Sequence, residues 1–398
     1  MPFLLALTLG GCGDRGREAV PGALFRDSAG AAIAESARAV WDAEPGRRWS
    51  IDTLPELDLT RTGTGRLHEF YRVVGAVFLS DGRIVVGDDG SKQIRAYSRH
   101  GESLASVGRE GEGPGEYGRI MGLIALTGDS IGVFSWPDRL TVLAPDLAFA
   151  RTTRLGDQAR RPRQLANGDL VALRVFPSVV EYEGRGGMIR EDVPMVRLSP
   201  DGTVEDTLWV GPGFEEYMFA SEESSGAMRP LFGKGLSFDA RGSTIVVGTA
   251  DAMAYDVLDP AGRVRRIVRV LPYDLSLDPS EVQAERASYL AGDPPAFYRE
   301  AVASLPAPDR RPAYSDLRID AEGFVWAGAH RSRAELNEPR HWEVFAPDGT
   351  WMGALHTPPR FELLEVGTDR LLGVRADELD VEHVQVLGLE RGTARGGR

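Results

Sequence analysis

One pattern recurs along this chain and narrows what it can fold into more than any other feature: an apolar run, a tight turn, a second apolar run, and then the same again. The clearest copy reads Val77-Phe78-Leu79-Ser80-Asp81-Gly82-Arg83-Ile84-Val85-Val86-Gly87-Asp88 and continues through Gln93-Ile94-Arg95-Ala96-Tyr97-Ser98-Arg99-His100-Gly101-Glu102. It closes on a glycine-rich corner, Gly108-Arg109-Glu110-Gly111-Glu112-Gly113-Pro114-Gly115-Glu116-Tyr117. Apolar runs this short, separated by turns carrying Gly, Asp or Asn, are strands in hairpins. Those residues accept positive φ or set the turn by local hydrogen bonds.

The first turn of the unit can be followed through Asp81-Gly82, Gly128-Asp129, Asn167-Gly168, Arg241-Gly242, Glu322-Gly323 and Thr368-Asp369. A second turn follows at His100-Gly101, Pro145-Asp146, Asp201-Gly202, Ala261-Gly262 and Asp348-Gly349. Two hairpins make a four-stranded blade, and recurrence at roughly 40–50 residues is the spacing of propeller blades. The expected fold is therefore all-β, a six-bladed β-propeller of four-stranded blades over residues 49–390. The sixth unit runs out near Gly388 without an outer strand. That strand is expected from the N-terminal side, within residues 49–60, where it would close the ring and cover an open edge. A partly helical insertion is expected between blades 4 and 5, within residues 271–312, with Ser280-Glu281 as the helix start and Tyr289, Phe297 and Tyr298 as anchors. Residues 391–398 read as a disordered tail.

Residues 77–117 resemble an NHL-type six-bladed propeller repeat. The likeness is carried by the Asp81-Gly82 turn, the Val86-Gly87-Asp88 strand end, the strand from Ile94 to Tyr97 and the Gly108 to Tyr117 corner. The segment Leu317-Arg318-Ile319-Asp320-Ala321-Glu322-Gly323-Phe324-Val325-Trp326 fits the same pattern. As a whole the chain resembles the six-bladed propeller lipoproteins of bacteria. The glycine-rich corner lacks the Lys-Ser/Thr ending of a P-loop and precedes no long helix, so it reads as a link between blades with Tyr117 packed there, rather than as a phosphate cradle.

The lone cysteine, Cys12, lies outside the repeats and cannot form an internal disulfide. It follows Pro2-Phe3-Leu4-Leu5-Ala6-Leu7-Thr8-Leu9-Gly10-Gly11, a run too short to span a bilayer but fitting the apolar region of an export signal. Leu9-Gly10-Gly11-Cys12 resembles the bacterial lipobox, although no basic region precedes the run. The resemblance implies lipidation at Cys12, a signal segment over residues 1–12, and a chain held to the cell envelope by lipid alone. Gly13 stands where an inner-membrane retention Asp would be, so the outer membrane is favoured in a cell with two membranes. Residues 13–48, rich in Ala, Gly and charge, read as a tether, with a short helix open over residues 29–41. A formal net charge of -13 argues against nucleic acid as a partner.

In this topology the first and third turns of each blade open on one face and are tight. The middle turns and the links between blades open on the other and are long, and binding residues concentrate on such loops. The candidate ligand-binding residues there are Asp88, Lys92, Arg109, Trp136, Arg139, Tyr182, His330, Arg331, Arg333 and Arg375. His100 belongs to the tight-turn face. Long segments over residues 176–194, 211–235 and 271–312 either wall a pocket over the central channel or pack on the rim. The mix of Arg, Tyr and Trp suits a protein, peptide, glycan or small anionic ligand. No His-x-x-x-His pair, nucleophile elbow or other catalytic signature stands out, and no cofactor or metal is expected. The function expected is a binding module. The alternative is a channel-centred hydrolase or lyase, lactonase-like or NHL-lyase-like, using Ca or Zn.

Overall fold

The computed structural model describes residues 23–28, 30–63, 65–156, 158–175, 187–220 and 225–392. Within them the chain is β-propeller-like. Six sheets of four or more strands follow one another along the sequence, antiparallel throughout except where a strand from the N-terminal side joins one outer edge. Sheet 1 shows how the residues make the unit. Its strands Val73–Phe78, Ile84–Asp88, Gln93–Tyr97 and Ser103–Val107 pair in sequence order. Gly82, at φ 84°, closes the first hairpin, with Leu79 N donating to Arg83 O at 2.9 Å. Gly101, at φ 87°, closes the next one made from tight residues. Both faces of Ile84–Asp88 are buried, which is why that run is continuously apolar rather than alternating.

The first strands of the sheets, Val73–Phe78, Ile120–Ala125, Ala159–Gln164, Ser237–Arg241, Asp316–Ile319 and Phe361–Val366, each touch the next, and the sixth touches the first. Apolar clusters fill the spaces between sheets. One, between sheets 1 and 2, includes Val85, Ile94, Ile131 and the fully buried Tyr117 from the glycine-rich corner. At that corner Gly108 has φ 100°, and a Cβ there would sit 2.5 Å from Lys92 O, so the link needs glycine on both counts. The last strand of sheet 6, Glu382–Glu390, pairs with Ser50–Ile51 and Leu57–Asp58 from the N-terminal side.

The N-terminal segment departs from the expected tether. Ala23–Ser28 and Ala31–Ser36 form a hairpin, and the second strand pairs in parallel with Val264–Val270 at the outer edge of sheet 4. Ala34 is fully buried there. The chain then crosses sheet 5, where Val40 and Trp41 on the short helix Val40–Ala43 are buried against Trp342, Met352 and Leu355, and goes on to sheet 6. Residues 31–58 are thus a belt along three outer edges. The alanines that suggest a helix are there because small side chains let a strand lie close on its neighbour, and sheet pairing outweighs their modest helical preference.

The long segments also have defined shapes. Gly187–Leu198 and Val204–Ala220 form an extended hairpin that Ser225–Met228 joins. The helical insertion holds Pro279–Tyr289 and Ala296–Ser304. Its first helix is capped by Asp278 and Glu281 as a reciprocal capping box, so the start lies two residues before Ser280. The two insertions pack together through Tyr217, Phe232, Val282, Tyr289 and Val302. No helix among the described residues is long and apolar enough to cross a membrane.

Candidate functional site

The first strands of the sheets surround a cavity of about 910 Å³. On sheets 1 and 2 the wall is small or apolar, with Gly75, Ala76, Met121 and Gly122. On sheets 3, 5 and 6 it is charged, with Arg160, Arg161, Arg163, Asp316, Arg318, Glu362 and Glu365. A second pocket of about 240 Å³ shares Arg161, Phe214, Ser315 and Asp316 with it and adds Arg229 and Arg340. Asp316 begins its strand, with Ser315 just before it, and Arg161 stands near the start of its own. The second pocket therefore lies at the end of the channel where the links and insertions are.

The charges at the two ends are arranged differently. At the tight-turn end they are paired and tie sheets together. Arg163 Nε lies 2.6 Å from Asp239 Oδ1, and Asp239 Oδ2 accepts from Ile319 N at 2.8 Å. Glu365 accepts from Phe78 N at 2.8 Å and lies 3.5 Å from Arg241. Burial pushes its carboxyl above the usual range. At the loop end Asp316 takes two guanidiniums, Arg318 at 3.1 Å and Arg340 at 3.6 Å. Burial would raise the Asp316 carboxyl, but Arg318, Arg340 and Arg161 outweigh burial and hold it below the usual range. Arg340 is fixed further by Ser315 Oγ at 2.9 Å and by the Trp342 ring, 4.5 Å from its guanidinium carbon.

Arg161 and Arg229 have no hydrogen bond from the side chain and no ion pair among the described residues, and both are open to channel water. Arg161 also has φ 53°, an uncommon conformation for a residue other than glycine. Its pKa is lowered by burial and by Arg163, Arg318 and Arg229 nearby, although an arginine keeps its charge at any ordinary pH. His330 stands beside this cluster, its ring 5.7 Å from that of Phe232. Burial and then Arg229 push its pKa down to about 4, so it is neutral at pH 7.

Most of the residues picked out on the loops lie elsewhere and are occupied. Asp88 is buried and accepts from Gly90 N and Ser91 Oγ and pairs with Arg95, which fixes its own turn. Lys92 is tied to Asp89 at 2.6 Å and Arg109 to Glu116. Arg139 donates to the carbonyls of Glu112 and Glu116, bracing the glycine-rich corner. Arg331 donates to Leu336 and Glu338 carbonyls, and Arg333 stacks 4.0 Å over Tyr289. Arg375 is exposed on sheet 6, opposite His383. Trp136 is half exposed, with Arg160 5.0 Å above its ring. None of these lines either cavity, and only His330 adjoins them. Tyr182 and Cys12 lie outside the described residues.

The channel residues were missed because both faces of a first strand are enclosed, so no alternation marks the side that faces the axis. The available signal was charge inside a strand: Arg160-Arg161-Pro162-Arg163 before the Asn167-Gly168 turn, and Asp316-Leu317-Arg318 before Glu322-Gly323. Among the described residues no group of three His, Cys, Asp or Glu side chains is placed to hold a metal ion.

No protein-family model matches the chain, and no curated protein matches it in sequence. Solved structures match it in fold. A member of the DUF4221 family from Bacteroides vulgatus is 10% identical, with a TM-score of 0.51, covering 87% of this chain and 99% of that one. A protein of Bacteroides fragilis named as a candidate exported protein is 11% identical, with a TM-score of 0.50, covering 87% and 96%. At such identities the likeness is one of fold, and it is to β-propeller-like proteins.

Proposed function

We propose that the chain is a six-bladed β-propeller, closed by the strands at Ser50–Ile51 and Leu57–Asp58, that is exported, held to the envelope by lipid on Cys12, and binds a ligand at the loop end of its central channel. The observation that carries this is the joining of the channel to the smaller pocket through Arg161, Phe214, Ser315 and Asp316, beneath two insertions that pack on each other. A site of several hundred Å³ with a mixed wall and a few converging polar groups is the usual form of a small-molecule site. The rigid sheets and the cyclic contacts between first strands keep its walls in place. Export is supported by the apolar run before Cys12 and agrees with the name of one fold neighbour.

The test is to fill the channel. A Cβ added at Gly122 meets nothing nearer than Val74 O at 3.9 Å, and Gly122 lines the cavity, so Gly122→Phe enters free space. A panel of organic acids, sugars and short peptides is screened by thermal shift against the full chain and this variant. At least one class should stabilise the parent and leave Gly122→Phe unmoved. Equal stabilisation of both proteins by every active compound would place binding outside the channel.

A further inference from the structure

We infer that the loop end of the channel recognises a small organic oxyanion, a carboxylate or phosphate monoester whose body extends into the channel, with Arg161 and Arg229 as its ligands. This rests on the channel-binding reading above and names the chemistry of that site.

Arg161, Arg229, Arg318 and Arg340 gather at the two cavities, against Asp316 and Glu362. Arg318 and Arg340 are both committed to Asp316. Glu362 is exposed and makes no ion pair within 4 Å among the described residues. Arg160 has no ion pair either, but its donors are taken by Pro137 O, Ala159 O and Gln158 Oε1, so Arg161 and Arg229 are the two guanidiniums here with donors to spare, in a chain whose net charge is -13. Positive charge is outnumbered overall, 46 Lys and Arg against 59 Asp and Glu, yet here it is collected in excess of the carboxylates, in a partly enclosed place where like charges repel more strongly than in open water. Such an arrangement costs stability, and an anion arriving between the two forks removes the cost. A guanidinium offers planar, paired donors that match carboxylate and phosphate oxygens.

The body of the ligand follows from the wall. Beyond the arginines the channel presents Phe214, Val175, Met121 and Val74, and the one other cation there without an ion pair among the described residues is Arg160, whose donors are already taken. A bare ion would leave this wall uncovered, whereas an ion carrying a short apolar or neutral body would cover it. His330, neutral at pH 7 and beside Arg229, adds a polar group without adding charge. The cavity volumes suit a molecule of modest size and leave no room for a folded partner within the channel.

The probes are hexanoate, hexyl phosphate, inorganic phosphate and the neutral hexanamide, each titrated calorimetrically into the full chain. Hexanoate or hexyl phosphate should bind at least about tenfold more tightly than hexanamide, and which of the two binds better distinguishes carboxylate from phosphate. Inorganic phosphate should bind more weakly than the better alkyl anion. Arg161→Gln and Arg229→Gln should each lower the affinity about tenfold or more while leaving the melting temperature unchanged or raised, since each relieves like-charge repulsion, whereas Arg109→Gln, an exposed residue away from the channel, should not lower the affinity. Equal binding of hexanamide and hexanoate, both lost in Gly122→Phe, would overturn the anion inference and leave channel binding standing. Hexanoate binding that survives Gly122→Phe would overturn channel binding itself. Inorganic phosphate binding as tightly as hexyl phosphate would remove the organic body from the proposal. Absence of binding by every probe at about 10 mM, or retained affinity in both arginine variants, would overturn the inference.

Discussion

Trp41 gives the sharpest test of the belt that the N-terminal segment forms. Its side chain is 1% exposed, its ring centroid lies 5.4 Å from that of Trp49, and it packs over Gly353, where even a Cβ would come within 2.7 Å of the indole. Burying a tryptophan removes roughly 200 Å² from water, worth about 5 kcal/mol at ~25 cal/mol per Å². One correction applies. Trp41 Nε1 is buried with no hydrogen-bond partner among the described residues, and an orphaned donor costs about 1–3 kcal/mol. The net loss for Trp41→Ala is then about 2–4 kcal/mol, overlapping the range of large-to-small changes in cores. For a domain of this size that lowers the melting temperature on the order of 5 °C. Trp41→Phe keeps most of the contact and removes the orphaned donor, so it should change stability by less than about 1 kcal/mol. Thermal and urea unfolding followed by far-UV circular dichroism measure both. A loss below about 1 kcal/mol for Trp41→Ala would mean that the segment is a loose tether and that the belt contributes nothing.

Other consequences can be measured as directly. Cys12→Ser should shift the chain from the membrane fraction to the soluble one or leave it unprocessed, and unchanged partitioning in detergent would remove the lipid anchor. Asp239→Ala breaks the pair with Arg163 and frees Ile319 N, a link among sheets 3, 4 and 5, and should cost about 3 kcal/mol by urea unfolding. A cost below about 1 kcal/mol would show that the link is idle. His330 is neutral when folded down to pH about 4 but charged when unfolded below its ordinary value of 6.5. Protons therefore bind preferentially to the unfolded chain between those values, and stability is present above pH 6.5 and declines as pH falls toward 4. His330→Gln should flatten that part of the stability profile, and an identical profile in the variant would contradict the burial argument.

Much of the architecture was legible because turns announce themselves chemically. Gly82, Gly168, Gly242 and Gly323 all have positive φ at the first turn of a sheet, as do Gly101, Gly202, Gly262 and Gly349 at the second, and few residues other than glycine hold that conformation cheaply. The missing outer strand of sheet 6 could be anticipated from Gly388, where the apolar pattern stops. The hairpin at Ala23–Ser28 and Ala31–Ser36 could not, because it gains its stability from an edge that only exists once sheet 4 has formed. The site was read least well. Arg109, Arg139 and Arg333 looked like free binding groups because a sequence does not show which carbonyl, carboxylate or ring each cation will meet. Arg161 and Arg229 carry the unspent charge: Arg161 lies inside a strand, and Arg229 lies in the long segment 211–235 but was not among the residues picked out there.

The most direct measurement is a crystal structure of the full chain soaked with the tightest-binding alkyl anion. Electron density for its oxygens is expected between the guanidiniums of Arg161 and Arg229, with the alkyl chain lying along Phe214 and Met121 in the channel. Density for the anion on the rim at Trp136 or Arg109, or at the tight-turn face, with the channel holding solvent alone, would contradict this placement.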